Sequence, residues 1–416
     1  MSADIKKRKF YLILILGFLT AIGPLSIDMY LPAFPDIAKS LNTSVARVTL
    51  SLSSFFIGIS VGQLFYGPLL ERFGRKKPLY AGLCIYLLAS IGCAFAASVN
   101  ALIALRLLQA LGGCVGMVAS RAMVRDLFDV KENAKIFSTL MLVVAVSPII
   151  APTLGGYITA ALGWHYVFAM LIIIALSILG AIYFFLPETK KADPHFSLKP
   201  LSILKSYGGV ITHPQFYTYA LTAAISAAAI YAYIGGSPHV FMELFHVNEK
   251  QYGWIFALIA MGLIGSSQLN SVLLKNYTSE QIIKVALRCQ TIIGAIMVLI
   301  TVLGWGDLFV IIFLIFIFLC CQGFIFPNAS ALSLAAFGHN AGSASALLGG
   351  IQMGIGAGTS ALVSLLQNNT ALPMTGVMAC CAITALSVFS LGRKIIINQA
   401  TAEGVEKEDI EMISTL

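Results

Sequence analysis

Long apolar runs separated by short polar breaks dominate this chain. An α-helix rises about 1.5 Å per residue and a bilayer's hydrocarbon core is about 30 Å thick, so about 20 apolar residues in a row cross it. Twelve runs approach or exceed that length: 10–33, 46–70, 79–98, 99–121, 137–160, 164–186, 216–238, 252–274, 282–304, 308–334, 344–367 and 373–393. The narrowest break, Ser98-Val99-Asn100, reads as a tight turn. The pattern predicts an all-α membrane protein with 12 transmembrane helices. Its longest polar break divides the runs six and six: a six-helix bundle at 1–186, a linker at 187–215, a second bundle at 216–394 and a polar tail at 395–416. Paired hydropathy halves of this kind are what a parallel-repeat transporter shows. Direct internal similarity is faint, Gln63-Leu64 recurring as Gln268-Leu269 and Gln109-Ala110 as Gln322-Gly323.

Composition agrees, since only 11% of the 416 residues are charged and 58% are hydrophobic. A soluble domain carries about 25% charged residues. The net charge of +8 is of the sign that a nucleic-acid partner requires, but its placement argues otherwise. With the amino terminus inside, 21 lysines and arginines fall on the inner side, against Lys39, Arg47 and Lys250 outside. The positive-inside rule accounts for this bias, so the excess charge reports topology and both termini are expected in the cytoplasm. Lys6-Lys7-Arg8-Lys9 begins the chain like a signal peptide, yet no small-residue cleavage site follows and a retained first span is expected. All eight cysteines lie in apolar runs and read as small core residues. Nucleotide-binding glycine loops, zinc spacings and catalytic constellations are absent from the sequence, so neither an enzyme nor a cofactor is expected.

Against this apolar background, a few polar residues stand out. No charge interrupts Phe10 to Ile27, and then Asp28 appears inside the first run. A charged side chain at that depth costs about 2.5–3.5 kcal/mol on insertion scales, and such residues by default mark ion or substrate pathways. The bland alternative places Asp28 at the outer interface, with Tyr30 and Pro32 ending the span. Arg106 lies about two turns into the fourth run and cannot shed its charge, so it needs water or a counter-ion. Asp28 is the partner at matching depth. Gly67 to Lys77 combines glycines with Glu71, Arg72, Gly74 and Arg75, and Arg125-Asp126 closes the neighbouring inner loop. Gly67 would let a neighbouring helix approach, Gly74 would permit a tight turn, and Asp126 offers Arg75 a partner. In the fifth run Pro148, Pro152, Gly155 and Gly156 read as a kinked, softened helix.

These stretches together resemble the major facilitator superfamily: Gly67 to Lys77 its loop 2–3 signature, Arg106 to Gly112 its fourth-span arginine motif, and Ala151-Pro152-x-x-Gly155-Gly156 its antiporter motif. Ile27 to Pro35, Arg121-Ala122-x-x-Arg125-Asp126, Pro327-Asn328-Ala329 and Ala341 to Leu347 are similar to the Bcr/CflA (bicyclomycin-resistance/chloramphenicol-efflux) drug:proton antiporters. The resemblance implies the major facilitator fold of two pseudo-symmetric six-helix bundles, working by alternating access in a bacterial inner membrane. Asp28 and Arg106 match its proton-coupling pair. Gly67, Glu71, Arg72, Gly74, Arg75, Arg125 and Asp126 match its cytoplasmic latch, and Pro148, Pro152, Gly155 and Gly156 its hinge. Glu71 replaces the usual aspartate, and Ala151 the usual glycine.

The function expected is proton-driven export of small organic compounds, by a monomer whose partners are protons, substrate and lipid. A proton-coupled uptake symporter, or an exporter of one endogenous metabolite, is the alternative on the same fold. Substrate contacts are expected from Tyr30, Gln109, Tyr231, Tyr233, Gln322, Phe324 and Asn328, aromatic and amide groups in spans expected to line a cavity.

Overall fold

The computed structural model describes residues 3–128, 130–194, 207–337 and 341–402. Residues 195–206 of the expected linker and 403–416 of the expected tail lie outside them. Among the described residues, thirteen α-helices carry the architecture: α1 (Ala3–Asp28), α2 (Phe34–Ser40), α3 (Val45–Phe73), α4 (Lys76–Ala94), α5 (Val99–Leu127), α6 (Val130–Leu162), α7 (His165–Phe185), α8 (Pro214–Ser237), α9 (Glu249–Leu273), α10 (Ser279–Val302), α11 (Leu308–Leu334), α12 (Ala341–Leu366) and α13 (Leu372–Ala402). They supply 12 segments long and apolar enough to cross a membrane, one for each expected run. Among the described residues there is no strand beyond one isolated bridge, Asn368 with Thr370. In a bilayer this is required, because only an α-helix or a closed barrel satisfies its own backbone there.

Helix starts follow local chemistry. Ser44, Ser98 and Asp307 each accept a bond from the backbone N–H three residues on, and Thr278 with Gln281 forms a reciprocal capping box. Gly74 ends α3 at φ +81, a left-handed conformation that favours glycine.

Several boundaries differ from the sequence expectation, three of them at the first, seventh and last spans. The first span continues past residue 33 through a 3₁₀ turn (Leu31–Ala33) and α2, giving an apolar segment from Phe10 to Ser40. Pro32 and Pro35 sit in the opening turns of these two helices, where a missing N–H costs nothing, so they begin elements rather than end the span. The seventh span likewise passes 238, because α8 runs into a π-helical segment at Pro238–Leu244. At the other end, α13 continues to Ala402, past the expected boundary at 394.

Contacts group the chain into two compact units: Met1–Lys199 with Val247–Ala257, and Pro200–His246 with Leu258–Leu416. Within the first, α3 packs on α5 and α4 on α5 at helix-to-helix distance. A Cβ at Gly112 would meet Tyr86 N at 2.5 Å, so only glycine fits there. In the second, α8 is buried along most of its length among α11, α12 and α13. Large apolar side chains such as Phe184, Phe309 and Leu365 point outward, three-quarters exposed, as a lipid-facing surface requires.

Candidate functional site

The site is built from the end of α1 outward. Asp28 is the last residue of α1 and 4% exposed. It makes no hydrogen bond and no ion pair with any described residue. An ionised carboxyl there has no cation to offset its desolvation, and the negative end of a helix macrodipole adds to that cost. Burial, together with the helical continuation beyond Ala33, sets aside the interfacial alternative.

Arg106 is fully buried and does not pair with Asp28. This corrects the expectation drawn from their matching depth. Its Nη2 donates to the Ser26 carbonyl at 3.0 Å and its Nη1 to Gln109 Oε1 at 2.5 Å. Ser26 lies in the last turn of α1, where helical carbonyls lack partners and carry partial negative charge. The guanidinium therefore caps the helix that ends in Asp28. It also lies over the rings of Phe55 at 4.1 Å and Tyr30 at 4.5 Å, a cation–π seat that offsets part of its desolvation. Only Nε is left without a partner.

The bonds close into a ring. Gln109 Nε2 donates to Ser90 Oγ at 2.7 Å, Ser90 Oγ donates to the Tyr86 carbonyl at 2.7 Å, and the Tyr86 hydroxyl meets Ser26 Oγ at 2.7 Å. Both ends of the Gln109 amide are engaged inside this ring, and the Tyr30 hydroxyl meets Ser51 Oγ at 2.8 Å. Both side chains, expected as substrate contacts, are buried and occupied by protein partners.

A second cluster forms in the same unit where α3 meets α4. Arg75 Nε donates to Asp126 Oδ2 at 2.8 Å, Nη2 to Asp126 Oδ1 at 3.3 Å, and Nη1 to Glu71 Oε1 at 3.0 Å. Burial alone would lower its basicity, but the bonds to Asp126 and Glu71 outweigh that and hold the guanidinium above its ordinary range. Residues just after α7 fold over this cluster, a feature the sequence reading missed. Glu188 accepts from the backbone N–H of Arg75 at 2.8 Å and of Lys76 at 3.1 Å, taking up orphan donors at the start of α4. Thr189 donates to Asp126, Lys190 donates to Glu71, and Arg72 reaches the Asp193 carbonyl. The signal was an acid, Glu188, directly after Pro187 in a loop whose neighbours are basic. Arg125 is exposed and takes no part in these bonds. No described atom lies within 4 Å of a Cβ built on Gly67, so the close helix approach expected there is absent.

Through Pro148 and Pro152, α6 stays continuous. Gly155 lies against the Met29 backbone, and Gly156 against the Glu249 carbonyl, in contacts too close for any side chain. Both glycines allow close packing, Gly155 next to the residue that follows Asp28 and Gly156 against the start of α9.

In the second unit, Ser226 Oγ lies against the Oε1 atoms of Gln322 and Gln290, and Gln290 Nε2 donates to Gln322 Oε1 at 3.3 Å. Asn328 Nδ2 donates to Asn270 Oδ1 at 2.7 Å, and Gln352 Nε2 to the Tyr231 hydroxyl at 3.3 Å. Tyr233 is buried and Phe324 half-buried. A cavity of about 650 Å³ opens between α8, α12 and α13, walled by residues such as Ile225, Ile355, Leu362 and Val377, and none of the expected contacts line it. A buried acid also escaped notice: Glu280 in the first turn of α10 accepts from Tyr219 and, at 2.8 Å, from Arg393 Nε. An acid beside the Thr278 cap was its signal.

Comparisons with known proteins agree with this architecture. A family model described as Major Facilitator Superfamily matches residues 16–361. The chain is 33% identical over 391 residues to the uncharacterized MFS-type transporter YdgK of Bacillus subtilis (strain 168), covering 93% of this chain and 97% of that one. It is 31% identical over 384 residues to a bicyclomycin resistance protein homolog of Haemophilus influenzae, covering 92% and 96%. A bacterial homolog of the human lysosomal transporter Spinster, solved in an inward-facing and occupied conformation, superposes with a TM-score of 0.69 at 15% identity over 93% of this chain and 97% of that one. This last likeness concerns the fold.

Proposed function

This chain belongs to the Major Facilitator Superfamily, and from that premise we propose that it exports small organic compounds in exchange for protons. The observation that carries the reading is Asp28, a buried carboxyl with no counter-ion at the end of the helix that Arg106 caps. Gaining a proton removes the charge from an apolar bundle, and losing it restores a strain the surroundings do not relieve. Proton and substrate then favour opposite access states, and that difference in affinity couples their flows. Arg106 holds the end of α1 in register, while Gln109, Ser90 and Tyr86 hold Arg106. The resistance-named relative supports drug-like cargo, and the basic bias supports a bacterial inner membrane with both termini cytoplasmic. The working divisions are 1–186 for proton coupling, 187–215 as linker, 216–394 for selecting cargo and 395–416 as tail, in a monomer. The inner cluster of Glu71, Arg75 and Asp126 serves as the latch, and Pro148 to Gly156 as the flexing segment.

The test is proton flux in proteoliposomes driven by added substrate, with wild type beside Asp28→Asn. Loss of coupled flux with retained folding is expected. Undiminished proton-driven transport in the variant overturns the assignment.

A further inference from the structure

Two adjacent glycines on α8 draw in a neighbouring helix on either hand. A Cβ on Gly235 would stand 2.6 Å from Ser360 Oγ of α12, and one on Gly236 would stand 2.7 Å from Met374 Cγ of α13. Both helices are thereby held against α8, and the cavity of about 650 Å³ opens among the three. Ile225 lines it from α8, Ile355, Thr359 and Leu362 from α12, and Gly376 and Thr384 from α13. All three helices belong to segments long and apolar enough to cross a membrane. The α13 wall runs from Leu372 to Thr384, about 18 Å at the helical rise per residue. One leaflet of the bilayer's hydrocarbon is about 15 Å deep, half of the whole core. The cavity is a slot with the length of one leaflet.

Gly376 keeps that slot open. A glycine inside a helix weakens it, and the usual compensation is a left-handed turn or a close neighbour. Gly376 has neither, because it lies within α13 without a positive φ, and a Cβ built on it meets nothing within 4 Å. What its missing side chain provides is room. The walls offer that room no polar partner. The Thr359 hydroxyl is shared by the Ala228 and Gly356 carbonyls, and Thr384 donates to the Cys380 carbonyl at 2.7 Å. No charged side chain lines the slot. Polarity returns only at the α12–α13 connection, where Asn368 lines one end. Its Oδ1 accepts from Thr370 and its carbonyl from His239 Nε2 at 2.8 Å, while its Nδ2 makes no hydrogen bond with any described residue. An apolar shaft that ends at a spare donor matches a hydrocarbon chain with oxygen at one end.

We propose that this slot seats one acyl chain of a bilayer phospholipid, whose ester oxygens accept from Asn368 Nδ2. Water does not fill an apolar hole, because it needs several polar partners to stay. A chain of the surrounding leaflet is the apolar material at hand, and its length is that of the slot. The site is independent of the export reading, since it requires neither proton nor cargo.

Full-length protein, delipidated in detergent, is irradiated with a phosphatidylcholine that carries a diazirine in one acyl chain, and labelled residues are mapped by mass spectrometry. Slot residues should saturate with label at low probe, while outward positions such as Phe184 and Phe309 gain label in proportion to the probe added. Gly376→Leu fills the slot without a clash and should reduce its label to the level of those outward positions, with no loss of melting temperature. Gly265→Leu, at an exposed glycine of α9 that also meets nothing within 4 Å, should leave the slot label unchanged. Should Gly376→Leu fail to fold, Leu362→Trp at an exposed position of the α12 wall narrows the slot and should have the same effect. Dipalmitoyl phosphatidylcholine in excess should displace the slot label, and glycerophosphocholine, the headgroup without chains, should not. Slot label that rises in proportion to the probe, or that survives both substitutions, overturns the proposal. Displacement by a neutral lipophilic dye but not by the dipalmitoyl lipid gives the slot to a drug-like compound and overturns it as well.

Discussion

Each unit holds a buried cluster of serine and glutamine side chains, and these two clusters differ in charge. In the first, α1, α4 and α5 contribute Ser26, Tyr86, Ser90, Arg106 and Gln109. In the second, the helices of corresponding order, α8, α10 and α11, contribute Ser226, Gln290 and Gln322. A serine and glutamines recur in both. Only the first adds a guanidinium and, beside it, an unpaired carboxyl. A neutral amide cluster fixes helix positions at low electrostatic cost. A charged one answers to protons, because changing one charge in a medium of low polarity changes the energy of everything near it. Under the proposed function, this contrast assigns proton coupling to the first unit and neutral discrimination of cargo to the second.

Five substitutions sharpen or break this contrast. The largest effect is expected from Asp28→Asn, which should lower gradient-driven accumulation by about a hundredfold, near the top of the usual coupling range. Counterflow without a gradient should persist, as radiolabelled exchange will show. Next is Arg106→Lys. An ammonium cannot span Ser26 and Gln109 while stacking on Phe55 and Tyr30, so transport should fall about tenfold and stability by about 2 kcal/mol. Thermal unfolding in detergent reads the second number; full activity in this variant breaks the capping argument.

Arg75→Gln is expected to cost about 1–2 kcal/mol, less than a fully buried pair because Asp126 and Glu71 are partly wet, and Asp126→Asn should cost no more. The smallest effect is expected from Gln322→Leu: about 1 kcal/mol from its lost bonds and a few-fold shift in cargo preference, with proton flux per substrate unchanged. A changed stoichiometry there erases the distinction between the clusters.

Much of the fold was legible because a bilayer imposes one length and one polarity on every span. That is why all 12 segments coincide with apolar runs. Asp28 was legible for the same reason, as an isolated charge in such a run. The partner of Arg106 was not. Sequence position along a span reports depth, and Asp28 matched in depth, but pairing also depends on the rotation of each helix about its axis. That rotation turned Arg106 to the Ser26 carbonyl. The same ambiguity hid the burial of Gln109 and Tyr30, which share a span with cavity-facing expectations yet face the packed interior.

What the sequence alone determined is therefore the count of spans and the presence of a costly acid, both consequences of moving polar groups between water and hydrocarbon. Only the tertiary structure decided which helix faces meet. It brought Glu188 onto the start of α4 across more than a hundred residues and left Asp28 without a counter-ion. Depth is a one-dimensional property that hydropathy encodes residue by residue. Azimuth arises from close packing at positions such as Gly112 and Gly155, where a side chain's absence lets two backbones settle at one rotation and no other.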